Sequence, residues 1–276
     1  MKTIVKGQEE IVKEVSRIFN IFTASECEIR PHFILTGPSG SGKSLTIQSL
    51  ANELNIGYIE INAAQLTKEG TSGNSLSKAL SPLSNSGNKP TICFVDEFDK
   101  LFISGNSNSE TAHESSNGVQ NEFLKVLESD TASVFGDYGK YINIQIKNVL
   151  FVFAGAFNGE EDMDLDKLRA VGLKTEFLGR VGLVYNVQPL TLESLFAIFD
   201  SSPLFKHYSE LFNDVDKETA IFEIKAKIQE NFKNNTLGAR MISTLVHQYF
   251  IKGGFTDKNV KKVTFQNKLS FKEESK

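Results

Sequence analysis

Residues 36–44, TGPSGSGKS, constrain the fold of this chain more than any other stretch. Residues 37–44 fit the pattern G-x-x-x-x-G-K-[ST], a glycine-rich loop that wraps around nucleotide phosphates. The apolar run FIL before the loop predicts a buried strand, and the apolar residues after it fall on one face of a helix. Because the pattern needs this strand–loop–helix context, the chain is predicted to build a nucleotide-binding unit around it.

The residue types in this loop suit phosphate binding. Glycines allow backbone torsions that side chains forbid, so consecutive N–H groups can turn towards one anion. The positive end of the following helix dipole points to the same place. Lys43 adds a full charge for the β- and γ-phosphates, and the Ser44 hydroxyl can bind Mg²⁺. The predicted nucleotide-binding residues of this segment are Gly37, Pro38, Ser39, Gly40, Ser41, Gly42, Lys43, Ser44 and Leu45.

A second apolar run, residues 91–97, ends in the carboxylates Asp96 and Glu97. Near-continuous apolar runs are typical of buried parallel strands, and ligands of open α/β sheets lie at the carboxyl ends of such strands. We expect Asp96 to hold Mg²⁺, usually through water, and Glu97 to polarise the attacking water. The alternative is a pair of acids that only solubilises a strand end. The position about fifty residues after the phosphate loop favours the catalytic interpretation.

Predicted strands alternate with predicted helices along the first two thirds of the chain. The strands are residues 33–35, 56–62, 91–97, 148–154 and 183–187, and the helices include residues 8–22, 45–54 and 119–128. Such alternation implies a mostly parallel sheet that is covered on both faces. Between the strands, a Ser/Asn-rich loop is predicted over 104–117 and a hairpin over 138–146.

The pattern changes after Pro189, which marks a plausible domain boundary. Helices are predicted there over 192–199, 219–232 and 238–250, with one short strand over 261–265. We therefore predict a large nucleotide-binding domain over residues 1–189 and a small, mostly helical domain over residues 190–276.

The composition excludes several classes of protein. Of 276 residues, 40% are hydrophobic and 23% charged, as in globular domains. There is no signal-peptide pattern and no run long enough to span a bilayer, so we expect a cytoplasmic protein without a membrane partner. The net charge of −4 does not favour nucleic acid, although a local basic patch stays open. Two cysteines and four scattered histidines suggest no metal framework, and His32 is expected to face solvent.

Taken together, the motifs resemble those of AAA+ ATPases, and most closely the ClpX/HslU branch of ring unfoldases. The matching segments run nearly end to end, and their order and spacing carry the resemblance more than any single segment does. They are residues 5–9 (VKGQE), 37–44 (GPSGSGKS), 94–100 (FVDEFDK), 117–120 (NGVQ), 124–128 (LKVLE), 154–157 (AGAF), 176–180 (EFLGR) and 236–240 (TLGAR).

The resemblance implies a P-loop fold with a five-stranded parallel αβα sandwich, followed by a small helical lid domain, and it implies ATP and Mg²⁺ as ligands. It places Val5 on the adenine side. It assigns Arg180 to the nucleotide site of a neighbouring subunit, where a guanidinium stabilises charge on the transferring γ-phosphoryl group. It assigns Arg240 to the phosphates of its own subunit. The alternative for both arginines is an ordinary surface or salt-bridge residue. The implied partners are further copies of the chain, in a nucleotide-dependent ring expected to be a hexamer, and a protein substrate.

Several departures from the family pattern bear on function. Residues 70–73, GTSG, stand where the family carries an aromatic pore loop. The chain between Phe157 and Phe177 is too short for a peptidase-docking loop, and no cysteine cluster precedes the phosphate loop to form a zinc module. Residues 154–155 offer no polar side chain for the first sensor position, which leaves Asn158 as a substitute. These departures argue against processive unfolding and peptidase delivery and leave the ATPase core intact.

Three functions are compatible with the sequence. The favoured one is an ATPase that couples hydrolysis to the remodelling of a protein partner, without coupling to a peptidase. The second is a nucleic-acid motor or loader, for which Lys68 and Lys78 beside the presumed pore loop are the only basic residues to cite. The third is a nucleotide-gated scaffold with little turnover, which the missing pore aromatic supports.

Overall fold

The computed structural model describes residues 6–68, 74–102, 110–136, 139–212 and 215–255, with only the backbone described over 110–116. The chain divides into two compact units. The first runs to Pro38 and continues over Gly42–Gln188, and the second holds Ser39–Ser41 and continues from Pro189.

A five-stranded parallel sheet forms the centre of the first unit. The strands of the chain are β1 (Phe33–Thr36), β2 (Gly57–Asn62), β3 (Thr91–Asp96), β4 (Thr131–Phe135), β5 (Tyr141–Gln145), β6 (Val149–Gly155) and β7 (Leu183–Asn186). The sheet has the order β2-β3-β6-β1-β7, and every neighbouring pair in it is parallel. This confirms the predicted α/β fold with five parallel strands. The order places β6 between β1 and β3, so the carboxyl ends of these three strands are neighbours.

Helices supply the outer layers of this unit. They are α1 (Glu9–Ala24), α2 (Lys43–Glu53), α3 (Leu76–Ala79), α4 (Glu110–Glu128), α5 (Leu165–Ala170) and α6 (Thr175–Arg180). Successive strand residues enter different cores, as the two-residue period of a strand requires. Phe33 and Leu35 pack in one core with residues of α1 and α2, whereas Ile34 packs in the other core with Phe123 of α4.

The second unit is helical in its described part. Its helices are α7 (Leu192–Asp200), α8 (Pro203–Leu211), α9 (Lys217–Asn231) and α10 (Arg240–Lys252). They share one hydrophobic core, in which Phe199, Ile224 and Val246 are almost fully buried. The helical nature predicted for this region is confirmed, while α8 was not predicted, and the strand predicted over 261–265 lies outside the described residues.

The loop predicted over 104–117 is wrong in its second half, because α4 begins at Glu110. Residues 103–109 lie outside the described part of the chain. Val119, Phe123 and Leu127 of the same helix are buried, and tertiary packing of such an apolar stripe stabilises helical turns that would be marginal alone. The Ser and Asn residues before the stripe therefore continue a helix, despite their preference for turns.

The hairpin lies earlier than predicted. β4 and β5 pair antiparallel from Thr131↔Gln145 to Phe135↔Tyr141, so the predicted segment 138–146 covers only the second strand and residues next to the turn. Burial alternates along the first strand, where Ala132 and Val134 are buried and Thr131 and Ser133 are exposed.

His32 is buried, which corrects the expectation that it faces solvent. Its Nδ1 accepts a hydrogen bond of 3.0 Å from the Phe151 N–H, and burial lowers its pKa to about 3. The ring is therefore neutral at physiological pH. None of the helices in the described ranges combines the length and apolarity that a bilayer crossing requires.

Candidate nucleotide-binding site

The phosphate loop runs from the end of β1 at Thr36 to the start of α2 at Lys43. Gly42 caps α2 in the left-handed conformation, with φ 96°, which a glycine adopts without a steric penalty. Gly37 has φ 140°, and a Cβ there would lie 2.4 Å from the Val187 carbonyl oxygen. Glycine at position 37 thus allows the loop to leave β1 directly beside the end of β7.

Lys43 brings its ammonium group back over the loop. Its Nζ donates hydrogen bonds of 2.7 Å to the Gly37 carbonyl oxygen and 2.9 Å to the Pro38 carbonyl oxygen. The charge therefore lies beside the first residues of the loop, and Lys43 itself is the first residue of an 11-residue helix. Helix N-termini attract anions through their unpaired N–H groups and dipole, and the Lys43 charge reinforces that preference.

Ser44 of α2 and Asp96 meet at the carboxyl end of β3. The Ser44 Oγ lies 3.4 Å from the Asp96 Oδ2, while the Asp96 Oδ1 accepts a hydrogen bond of 2.8 Å from the Glu97 N–H. Hydroxyl and carboxylate oxygens are ligands that Mg²⁺ accepts, and Mg²⁺ in nucleotide sites usually takes one or two side chains in addition to phosphates and water. The donor set therefore fits Mg²⁺, and the described residues contain no cluster of three or more His, Cys, Asp or Glu that would form a metal cage.

Glu97 leaves the strand in a strained conformation. Its φ is 54° and its ψ is 31°, a left-handed conformation that is uncommon for residues other than glycine. Such strain costs about 1–3 kcal/mol and persists only where the surroundings fix it. The side chain of Glu97 is exposed, while the next residue, Phe98, is fully buried. The turn thus holds one carboxylate, Asp96, against Ser44 and presents the second to solvent.

Arg240 begins α10 in the second unit, the unit that also holds residues 39–41. Within that unit, the Arg240 Nη1 lies 3.4 Å from the Ser39 Oγ. The Ala239 N–H donates a hydrogen bond of 3.0 Å to the Gly40 carbonyl oxygen. These bonds join the segment 236–240 to Ser39 and Gly40, which belong to the same unit.

Arg180 is the last residue of α6, and its guanidinium pairs with Glu128 at the end of α4. The Nε and Nη2 lie 3.0 Å and 2.9 Å from the Glu128 Oε1. The two side chains are 55% and 48% exposed, and exposed pairs of this kind contribute only about 0–1 kcal/mol. Exchanging Glu128 for another anionic partner would therefore cost little.

Residues 33–166 match the model of the family described as "ATPase family associated with various cellular activities (AAA)". Over this region the chain resembles ClpX-type ATPases of the AAA family. It is 28% identical over 256 residues to "ATP-dependent Clp protease ATP-binding subunit ClpX 2" of Wolinella succinogenes, a match that covers 79% of this chain and 64% of the relative. It is 26% identical over 280 residues to "ATP-dependent Clp protease ATP-binding subunit ClpX" of Porphyromonas gingivalis, covering 85% and 68%. The chain thus spans about two thirds of the length of these curated relatives. ATPases of this type use ATP with Mg²⁺, which agrees with the oxygen ligands above.

The remaining predicted positions are Val5, the presumed pore loop at 70–73, Leu45 and Asn158. Val5 and the presumed pore loop at 70–73 lie outside the described residues. Leu45 is 52% exposed on the first turn of α2, where its side chain is accessible. Asn158 follows the end of β6 in a left-handed conformation with φ 58°, and it is exposed.

Two polar residues near these strand ends were not predicted from the sequence as candidates for the site. Asp99 is 1% exposed, and its Oδ2 accepts a hydrogen bond of 3.2 Å from the Phe157 N–H. Asn186 ends β7 and accepts a hydrogen bond of 2.7 Å from the Thr36 hydroxyl, directly before the phosphate loop. The available signal was the same for both, a polar residue at or just past the carboxyl end of a predicted strand.

Proposed function

We propose that this AAA ATPase binds ATP with Mg²⁺ at residues 37–45, hydrolyses it, and couples hydrolysis to the remodelling of a protein partner. The observation that carries the proposal is the 3.4 Å contact between Ser44 and Asp96, beside the loop over which Lys43 folds. The protein partner is inferred from the relatives, whose names describe ATP-binding subunits of a protease. We assign nucleotide binding to residues 1–189 and a lid function to residues 190–276.

Each polar group would have a distinct task. The loop N–H groups and Lys43 would hold the β- and γ-phosphates, and Ser44 and Asp96 would hold Mg²⁺. When bound, the metal ion would neutralise charge that develops on the phosphate oxygens. Glu97 would orient the attacking water and accept its proton, a task for which an exposed carboxylate on a fixed turn is suited. Val5 would contact the adenine side, an assignment that rests on the family resemblance alone.

The proposal includes a composite site between copies of the chain. Arg180 would leave Glu128 and reach the γ-phosphate in a neighbouring copy, and its half-exposed position supports such an exchange. Arg240 would contact the phosphates of its own chain, next to Ser39. Head-to-tail contacts of this kind close into rings, and we propose a ring of six chains in the cytoplasm. The departures at 70–73 and after Phe157 favour remodelling without a peptidase.

ATP turnover by the parent chain and by Glu97→Gln tests the proposal. Loss of a positioned general base lowers turnover by about 10²- to 10⁴-fold, whereas calorimetric affinity for a slowly hydrolysed ATP analogue should stay within a factor of about three because the phosphate loop is intact. Glu10→Gln is the matched control, since Glu10 is an exposed acid in the first turn of α1. Equal turnover of Glu97→Gln and the parent would show that the catalytic assignment is wrong.

A further inference from the structure

Asp99 is a buried carboxylate that the proposed mechanism does not use. Its side chain is 2% exposed, and its described polar contacts are the Phe157 N–H at 3.2 Å and the Lys100 ammonium at 3.5 Å. Burying a charge is costly unless the group is paired and hydrogen-bonded. Lys100 is 48% exposed, and a solvated ammonium group offsets only part of the free-energy cost of burying the carboxylate. The hydrogen bond to Phe157 is therefore a main reason why Asp99 points inward.

The surroundings of Asp99 are shaped around it. A Cβ at Gly155 would lie 2.8 Å from the Asp99 Oδ1 and 2.9 Å from the Asp99 Cβ. Real Cβ atoms essentially never come so close to another heavy atom, so the strand β6 must end in glycine for Asp99 to fit. Asp99 consequently lies between the turn after β3 and the end of β6, two strands that are neighbours in the sheet.

The two turns that Asp99 joins are both strained. Glu97 has φ 54°, and Phe157 and Asn158 have φ 44° and 58°. Strained residues stay in place only where several contacts determine their conformation. Phe98 supplies one such contact, stacking at 5.3 Å on Phe177, and Asp99 supplies the polar one.

We infer that Asp99 is a positioning residue for ATP hydrolysis: by bonding the Phe157 N–H it locks the turn that carries Glu97 to the end of β6. The inference rests on the proposed function, because it assumes that Glu97 acts on the attacking water. Asp99 itself does not touch the phosphate loop in the described structure, so its loss should change the chemical step and leave nucleotide binding in place. This split between turnover and affinity separates positioning from a general structural role.

Three variants test the inference in the full chain. Asp99→Ala removes the acceptor, Gly155→Ala pushes against Asp99 from the other side, and Asp99→Asn keeps an oxygen for the Phe157 N–H while removing the charge. We expect kcat for ATP to fall at least about 10-fold in the first two and to stay within about 3-fold of the parent in Asp99→Asn, with affinity for a slowly hydrolysed ATP analogue nearly unchanged in all three. Asp166→Ala, an 87% exposed acid on α5, is the control.

Hydrogen exchange gives a readout that does not depend on turnover. The Phe157 amide should exchange faster in Asp99→Ala than in the parent and at the parent rate in Asp99→Asn. Full turnover in Asp99→Ala, or unchanged Phe157 exchange there, would overturn the inference while leaving the proposed function standing. Equal losses in Asp99→Asn and Asp99→Ala would also overturn it, because the charge would then matter and the hydrogen bond would not. A parent chain that fails to hydrolyse ATP would refute the proposed function, and the inference with it.

Discussion

The substitutions Arg180→Ala and Glu97→Gln can be made in separate copies of the chain. Mixing these copies tests whether Arg180 acts on the nucleotide site of a neighbouring copy or on the site of its own chain. Arg180→Ala breaks the contacts of 3.0 Å and 2.9 Å with Glu128. Because both side chains are about half exposed, the free energy of unfolding should change by no more than about 1 kcal/mol. An arginine that stabilises the γ-phosphoryl charge contributes about 10³- to 10⁵-fold to turnover. Catalysis should therefore collapse in a chain that remains folded.

The decisive assay mixes two variants that are inactive alone. In an equimolar mixture of Arg180→Ala and Glu97→Gln, a site works only if its own chain has Glu97 and its neighbour has Arg180. Random assembly in a closed head-to-tail ring makes about a quarter of the sites competent. The mixture should recover about a quarter of the parent rate per site when sites act independently. A mixture with no more activity than its separate components would refute the role of Arg180 in trans.

Arg169→Ala is the matched control for that assay. Arg169 is 51% exposed and bonds Asp166 at 2.7 Å. Arg169→Ala therefore removes a surface ion pair of the same kind, 11 residues before Arg180 in the chain. We expect Arg169→Ala alone to hydrolyse ATP at the parent rate. Mixed with Arg180→Ala or with Glu97→Gln, it should not bring the mixture to full parent activity. Its loss of activity would mean that surface charge in this region, and not Arg180 itself, supports turnover.

Two further predictions concern Gly37 in the phosphate loop and His32 just before β1. Gly37→Ala should weaken nucleotide binding at least about 10-fold by calorimetry, since its Cβ would meet the Val187 carbonyl oxygen at 2.4 Å. Gly182→Ala is the control and should bind like the parent, because its Cβ would have no neighbour closer than 3.6 Å. Equal binding by Gly37→Ala and the parent would refute the packing argument. The pKa of His32 is lowered to about 3, so the unfolded chain binds more protons below pH 6.5 and stability should fall by about 1 kcal/mol between pH 7 and pH 5.5. Urea unfolding of His32→Asn should lack this part of the pH dependence, and an identical dependence would contradict it.

The strand–loop–helix unit was predictable because it depends on local sequence. The structure of residues 33–54 is predicted by their glycines, by Lys43 and by the spacing of their apolar residues, without reference to the rest of the fold. The parallel sheet followed from five apolar runs for the same reason. Its strand order did not, since neighbours such as β1 and β6 are more than 100 residues apart in the sequence.

Burial of polar residues was the part that the sequence concealed. Nothing in FVDEFDK shows that Asp99 turns inward while Glu97 turns outward, because that depends on the φ of Glu97 and on Gly155 in another strand. The expectation that His32 lies at the surface was wrong for the same reason. Its ring accepts a hydrogen bond from the Phe151 N–H, which belongs to the strand β6 beside β1. Pairing by long-range contact decides these cases, and local pattern does not.

The central claim is that a triphosphate binds where the loop amides, Lys43 and the Ser44–Asp96 pair converge. Isothermal titration of the parent chain with a slowly hydrolysed ATP analogue in magnesium buffer tests it most directly, with Lys43→Ala as the comparison. The account predicts saturable heat at one nucleotide per chain for the parent and at least about 10-fold weaker binding for Lys43→Ala, because the loop loses its only full positive charge. No saturable heat from the parent, or equal affinity in Lys43→Ala, would contradict it.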